Sequence, residues 1–169
     1  MKTVRNYLDT LPQIGRVEWI GLSPGHRQLI VPVPLAVARV GTGLDDDYHA
    51  CGGRSHRQVT LIQFEHLGVV ASLAGHASLS PETLRRNIAV SGINLLALRE
   101  RRFRIGAAIL QGTGPCDPCS RMEEHLGPGG LNAMRGHGGI TARVLTAGTI
   151  RVGDTVEFAA SDKCVITDA

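Results

Sequence analysis

The sequence predicts a mainly β fold, a closed or strongly curved sheet. Three observations carry that expectation: short runs rich in Val and Ile, glycines gathered between the runs, and few stretches with helical periodicity. The runs are 16–22, 29–33, 35–39, 58–63, 88–90, 104–111, 140–146 and 155–158, and Gly, Pro or Asp stands near most of their ends. Many of the 21 glycines fall between them, at Gly41 and Gly43, Gly52 and Gly53, Gly127 to Gly130 and Gly136 to Gly139. Positive φ or close backbone approach is expected there, and so many tight connections bend a sheet towards closure. Helices are expected at 64–72 and 120–126, with a short turn at 81–86 capped by Ser80. The stretch 147–158 reads as a strand, a Gly153-Asp154 turn and a strand, an element that closes small barrels.

A chain of 169 residues without an internal repeat or a low-complexity linker predicts one domain over 1–169, with a core at 15–158 and a tail at 159–169. Hydrophobic residues make up 43% and charged residues 20%, the composition of an ordinary globular protein. An aromatic content of 4% and a net charge of +3 argue against a nucleic-acid partner, which needs stacking rings or a long basic face. That charge fits a localised site for an anionic small molecule instead. No apolar run reaches membrane-spanning length, and residues 1–12, with Lys2, Arg5 and Asp9, do not form a secretory signal. Four cysteines are too few for a disulfide framework in a chain this long, so a reducing, cytoplasmic setting is expected.

Chemistry concentrates in 111–124, where Gln-Gly-Thr-Gly-Pro precedes Cys116-Asp-Pro-Cys119-Ser-Arg121-Met-Glu-Glu. A strand there should leave through a Gly/Pro loop into a helix start, whose N–H groups and dipole favour a thiolate, with Arg121 adding to the effect. From spacing alone, Cys-x-x-Cys is half of a zinc site, a redox dithiol, or one functional cysteine beside a spectator. Two inert thiols in a turn is the purely structural alternative. Zinc needs two further ligands, and His125 and His137 have no standard finger spacing. A thioredoxin-like site needs a βαβ setting that the sequence lacks. Cys51 and Cys164 read as structural or tail thiols, and His137 as a loop histidine.

Two polar groups accompany the cysteines. Gly43-Leu-Asp-Asp-Asp47-Tyr-His49 is followed by Arg54 and by Arg57-Gln58 at the mouth of a predicted strand. Arg85-Arg86-Asn87 directly precedes another. Arginines at strand mouths can hold phosphate in bidentate fashion and Asn can read an amide-rich ring, so an anionic heterocycle is a reasonable ligand. The bland alternative is an Asp47–Arg pair that pins a loop, with His49 a satisfied turn histidine.

In that order these segments resemble the MOSC family, named after the C-terminal part of molybdenum cofactor sulfurases. The stretch 43–49 resembles the family's Gly-x-x-Gly-Asp-x-His, Arg57-Gln-Val-Thr-Leu-Ile-Gln-Phe-Glu65 its Arg-Gln-Val-Thr-Leu-Ile-x-x-Glu, and Arg85-Arg-Asn-Ile88 its Arg-x-Asn-Ile. The cysteine loop and the closing 148–154 element follow, so the likeness runs over roughly 15–158. It implies a β-barrel like the barrel domain of pyruvate kinase, and molybdenum cofactor as ligand. Cys119, directly before Ser-Arg-Met-Glu, matches the family's invariant cysteine, which binds molybdenum or carries sulfur; a thiolate suits a thiophilic metal. By the same resemblance Arg85 and Asn87 hold the pterin and phosphate end, with Asp47, His49, Arg54 and Gln58 as further pocket residues. Asp46 stands where the family usually has Gly, which bears on how the backbone turns.

Three functions follow from the resemblance. One is a small molybdoenzyme that reduces N-hydroxylated substrates; with no iron–sulfur signature in the sequence, a separate reductase must supply its electrons. Another is a sulfur or cofactor carrier in cofactor maturation, with Cys119 holding a persulfide and a maturation partner docking on it. A third is a noncatalytic barrel that has lost the ligand. The sequence lacks the aminotransferase-like domain of full sulfurases, so pyridoxal phosphate is not expected to bind it.

Overall fold

The computed structural model describes residues 2–52 and 56–160. Its strands are β1 (Gly15–Leu22), β2 (Val31–Pro32), β3 (Leu35–Arg39), β4 (Gly43–Leu44), β5 (Val59–Gln63), β6 (Ile88–Ser91), β7 (Arg102–Ile105), β8 (Ala108–Pro115), β9 (Ile140–Thr146), β10 (Gly148–Arg151) and β11 (Thr155–Phe158). Four short helices accompany them: α1 (Val4–Leu8), α2 (His66–Ala74), α3 (Ser120–Leu126) and α4 (Gly130–Met134). None is long and apolar enough to cross a membrane.

Seven strands close a barrel in the order β11, β7, β8, β9, β5, β6, β1, and β1 returns to β11 through the pairs Gly15–Val156 and Arg16–Thr155. Within the ring only β5 and β6 run parallel, with Leu61 opposite Ile88. A parallel pair needs a crossover, supplied here by α2 and a 3₁₀ turn over Pro81–Leu84. A separate three-stranded sheet, in the order β10, β3, β4, leads into the turn that carries Asp47 and His49.

The strands follow from side-chain alternation. In β7, Phe103 and Ile105 are buried while Arg102 and Arg104 face out, the period of two that lines one face of a sheet. Such inward residues, among them Val17, Leu61, Ile88, Val90, Phe103, Leu110, Val144 and Val156, fill the barrel. β5 and β6 are apolar on both faces, because Ile62 and Ala89 point outward into a second core with Leu67 and Val70 of α2, Leu84, Met122 and Leu126 of α3, and Met134 of α4. Strands buried on both sides lose the polar alternation and read as continuous apolar runs. That second core clamps the helices, including the one that follows the cysteines, to the barrel's outer wall.

The structure refines several expectations. The run 104–111 is a hairpin, β7 and β8, because the chain reverses at Gly106 with φ at 53°. The closing strands do form, but they part company: β10 pairs with β3, whereas β11 pairs with β7 and β1 and so completes the barrel. The run 29–33 shortens to Val31–Pro32, since Pro32 and Pro34 donate no ladder hydrogen bond. α1, set by a Thr3–Asn6 capping box, and α4, inside a glycine-rich stretch, were not expected. The tail at 161–169 with Cys164, the Cys51 side chain and Arg54 lie outside the described residues.

Candidate functional site

Asn87, directly before β6, and Thr60 in β5 sit side by side where the two parallel strands begin. Thr60 donates its backbone N–H and its hydroxyl to Asn87 Oδ1, at 3.0 and 2.9 Å. Asn87 Nδ2 donates to the Gly21 carbonyl at 3.2 Å and to Asp47 Oδ2 at 2.9 Å. The amide has thus used both acceptor and both donor positions within the protein. Asp47, 4% exposed, is equally occupied. Besides Asn87, it accepts from Ser23 N at 2.8 Å, from His49 N at 2.9 Å and from His49 Nδ1 at 3.0 Å. Burial alone would push the Asp47 carboxyl up; the hydrogen bonds from His49 and Ser23 outweigh it and hold the group below its ordinary value. Next to it, Asp46 adopts φ of 64°, a left-handed turn that Asp tolerates, so the backbone keeps the bend a glycine would give.

The two cysteines diverge. Cys116, 1% exposed, follows the end of β8, and its N–H donates to the Gly139 carbonyl at 2.9 Å. Arg57 Nη2 donates to its Sγ at 3.2 Å. Arg86, itself 4% exposed, ties its carbonyl down from Nη2 at 3.2 Å while giving Nε to Gly138 O at 2.9 Å and Nη1 to Leu84 O at 2.8 Å. Burial holds Arg86 below the usual guanidinium range, with the Cys116 sulfur pulling the other way and Arg57 adding to the depression. Gly138 leaves room for this clamp: a Cβ there would overlap the Cys116 carbonyl oxygen. Cys119 is exposed instead, in extended backbone at the cap of α3, with no side-chain capping bond. The expected helix start is present, but β8 runs on through Pro115, so Gly112 and Gly114 are paired in the strand and the connecting loop is only 116–119.

Between these groups opens a cleft of about 430 Å³. Cys119, Arg121 and Met122 line it on one side, Ser23, Tyr48, His49, Thr60 and Asn87 on another, with Gly25, His26, Arg27 and Ile30 from the loop after β1. Five arginines, Arg27, Arg57, Arg85, Arg86 and Arg121, face it, and among the described residues no carboxylate does. Arg85 caps the 3₁₀ turn with φ of 54° and gives Nη1 to the Gln28 carbonyl at 2.8 Å. Burial, and next the like charge of Arg121, lower its proton affinity; Cys119 and Asp47 raise it. Gln58 lines the cleft while its Oε1 accepts from Val144 N at 2.9 Å.

The structure thus brings Arg85, Asn87, His49, Gln58 and Cys119 onto one cleft, with Asp47 directly beneath. Sequence reasoning did not single out Ser23, His26 or Arg27, whose loop carries no motif; Arg57 and Arg86 stood inside quoted segments and could have been drawn from them. His137 lies elsewhere, its Nδ1 3.3 Å from that of His66. Among the described residues no three His, Cys, Asp or Glu side chains converge as a metal site. A metal in the cleft would rest on Cys119 and on donors brought by its own ligand.

Comparison with known proteins bears on the fold and the family. No curated protein matches the sequence. Among solved structures, the YuaD protein from Bacillus subtilis superposes with a TM-score of 0.75 at 21% identity, covering 88% of this chain and 98% of that one. YiiM from Geobacillus stearothermophilus gives 0.71 at 18%, over 86% and 75% of the two chains, and YiiM from Escherichia coli 0.65 at 18%, over 86% and 70%. These likenesses establish the fold. The family model of the MOSC domain matches residues 47–157, a span that holds the Asp47 turn, the Arg85–Asn87 segment and both loop cysteines, and the chain belongs to the MOSC domain family.

Proposed function

We propose that the cleft binds molybdenum cofactor, that Cys119 is the protein's ligand to molybdenum, and that the protein is a small reductase of N-hydroxylated substrates served by a separate electron donor. The MOSC family is linked to molybdenum cofactor binding. The observation that carries the reading is the position of one exposed thiol on a cleft walled by arginines, with its neighbour Cys116 buried and already clamped. The donor set fits the cofactor. A thiolate is a soft ligand for a thiophilic metal, and guanidinium groups match phosphate oxygens in bidentate geometry. Arg85 and Arg121 would neutralise the phosphate, while Asn87, its side chain fully committed to Thr60, Gly21 and Asp47, shapes the wall on which the pterin would rest. When bound, the cofactor supplies the redox centre.

The test is molybdenum and pterin analysis of protein made in a cofactor-producing host, beside Cys119→Ser and Cys116→Ser. Wild type and Cys116→Ser should retain both, and Cys119→Ser should lose the metal. Turnover of an N-hydroxylated base with an artificial electron donor should follow the metal. A wild type with neither metal nor pterin would overturn the reading; persulfide trapped on Cys119 in that protein would favour the sulfur carrier.

A further inference from the structure

We infer that His49 is the proton-transfer group of the cleft and that Asp47 is its positioning residue, an assignment that rests on the reductase reading above. Asp47 Oδ1 takes both the backbone N–H and the ring Nδ1 of His49, at 2.9 and 3.0 Å. Its other oxygen is held by Ser23 and Asn87, so the carboxylate cannot swing away. An ionised carboxylate accepts only, which puts the ring proton on Nδ1 and leaves Nε2 as the nitrogen free to exchange a proton. The side chain of His49 is 60% exposed against 3% for Asp47. A buried anion that takes one imidazole nitrogen and stabilises the charged ring is the arrangement by which carboxylates orient catalytic histidines. Asp47 does not itself line the cleft; it lies behind Ser23, His49 and Asn87, which do, so its carboxylate serves the ring and not a ligand.

The other groups on the cleft do not duplicate this one. Arg27, Arg57, Arg85 and Arg121 carry guanidinium groups, which are donors with no acceptor atom. Tyr48 packs edge-on against the His49 ring, with centroids 5.7 Å apart, and His26 sits beyond it, 6.0 Å from Tyr48, with no carboxylate among the described residues to orient it. Cys119 is reserved for the metal.

Reduction of an N-hydroxylated substrate consumes two electrons and two protons. The N–O bond breaks with its electron pair on oxygen, and the two electrons from the external donor pass to nitrogen. One proton goes to the departing oxygen, giving water, and the other to nitrogen, giving the reduced base. His49 first takes a proton from solvent on Nε2, forming an imidazolium paired with Asp47 through Nδ1–H, and delivers that Nε2 proton to oxygen, returning to the Nδ1–H neutral ring; solvent supplies the second proton, to nitrogen.

The experiment compares wild type, His49→Gln and Asp47→Asn for molybdenum and pterin content, for the pH profile of turnover, and for the tautomer of the His49 ring by nitrogen-15 NMR. Because Asp47→Asn is expected to cost stability, the exposed His49→Gln carries the decision. It should keep the cofactor within about twofold and lose about a hundredfold or more in kcat, with a pH profile that differs in shape from that of wild type. The ring should be protonated at Nδ1 in wild type and lose that preference in Asp47→Asn. Loss of cofactor from His49→Gln would make His49 a binding residue and overturn the inference, as would an unchanged kcat. A wild type without molybdenum would sink the reductase reading and the reaction assigned to His49 with it, while the ring spectrum would still report whether Asp47 orients the imidazole.

Discussion

The two sides of the cleft spend their polar groups differently. On the side of Asp47, Thr60 and Asn87, the carboxylate and the amide have every hydrogen-bonding position filled by the protein itself, and both residues are buried. On the side of the cysteine loop, Cys119 is exposed and Arg121 is half-buried, each facing the cleft. Lining a cleft is therefore not the same as offering it a donor. The first side is scaffold that fixes shape and aims one imidazole; the second carries the charge and the thiol a ligand would meet. Arg86 joins them, since it lines the cleft yet gives its guanidinium to the carbonyls of Leu84, Cys116 and Gly138.

Substitution on the scaffold side should have the largest effect. Asn87→Leu removes four side-chain hydrogen bonds and strands buried partners on Asp47, Thr60 and Gly21, at a cost of about 3–5 kcal/mol. Urea unfolding would read that loss as a lower midpoint with an unchanged slope. A cost below about 1 kcal/mol would mean that Asn87 is a binding residue after all and that the division between the two sides is false.

Asp47 gives the same comparison a pH dependence. Its folded-state affinity for a proton is lowered, so the stability it adds is complete above the ordinary carboxylate range and is lost as pH falls through the depressed folded value. Wild type should therefore destabilise more steeply than Asp47→Asn as pH drops from about 5 to 2, the two curves converging at the acid end. Parallel curves would show that the carboxylate is no better held in the fold than in the unfolded chain.

The sequence made the barrel legible because its strands obey simple periodicities, as β7 does with Arg102, Phe103, Arg104 and Ile105. It was less informative where a turn is encoded by one glycine, as at Gly106, or where pairing partners are far apart, as for β10 and β11. At the site, spacing put Cys119, Arg85, Asn87 and His49 on the page, because each stands in a short motif beside a strand or helix start. It could not separate scaffold from contact. Whether Asn87 faces a ligand or Thr60 depends on the Cα traces of β5 and β6, which only the fold brings together. The difference between Cys116 and Cys119 is likewise tertiary: Arg57, Arg86 and Gly139 bury the first from segments remote in sequence.

The smallest effect on stability, and the sharpest test of the other side, belongs to Arg121. It is half-buried on α3, has no hydrogen-bond or ion-pair partner among the described residues, and its charge bears unfavourably on Arg85. Arg121→Ala removes that repulsion along with a little side-chain packing, so stability should stay within about 0.5 kcal/mol of wild type. The cleft, however, loses one of the guanidinium groups that face an anion. Titration with inorganic pyrophosphate, followed by calorimetry at low salt, should show affinity reduced about five- to tenfold, corresponding to about 1–1.4 kcal/mol for one charge-assisted contact. The reduction should shrink as salt is raised, because the site is open to solvent and its charges are screened. Unchanged affinity would show that the anion rests on the other arginines, and a loss of more than about 1 kcal/mol in stability would place Arg121 with the scaffold instead.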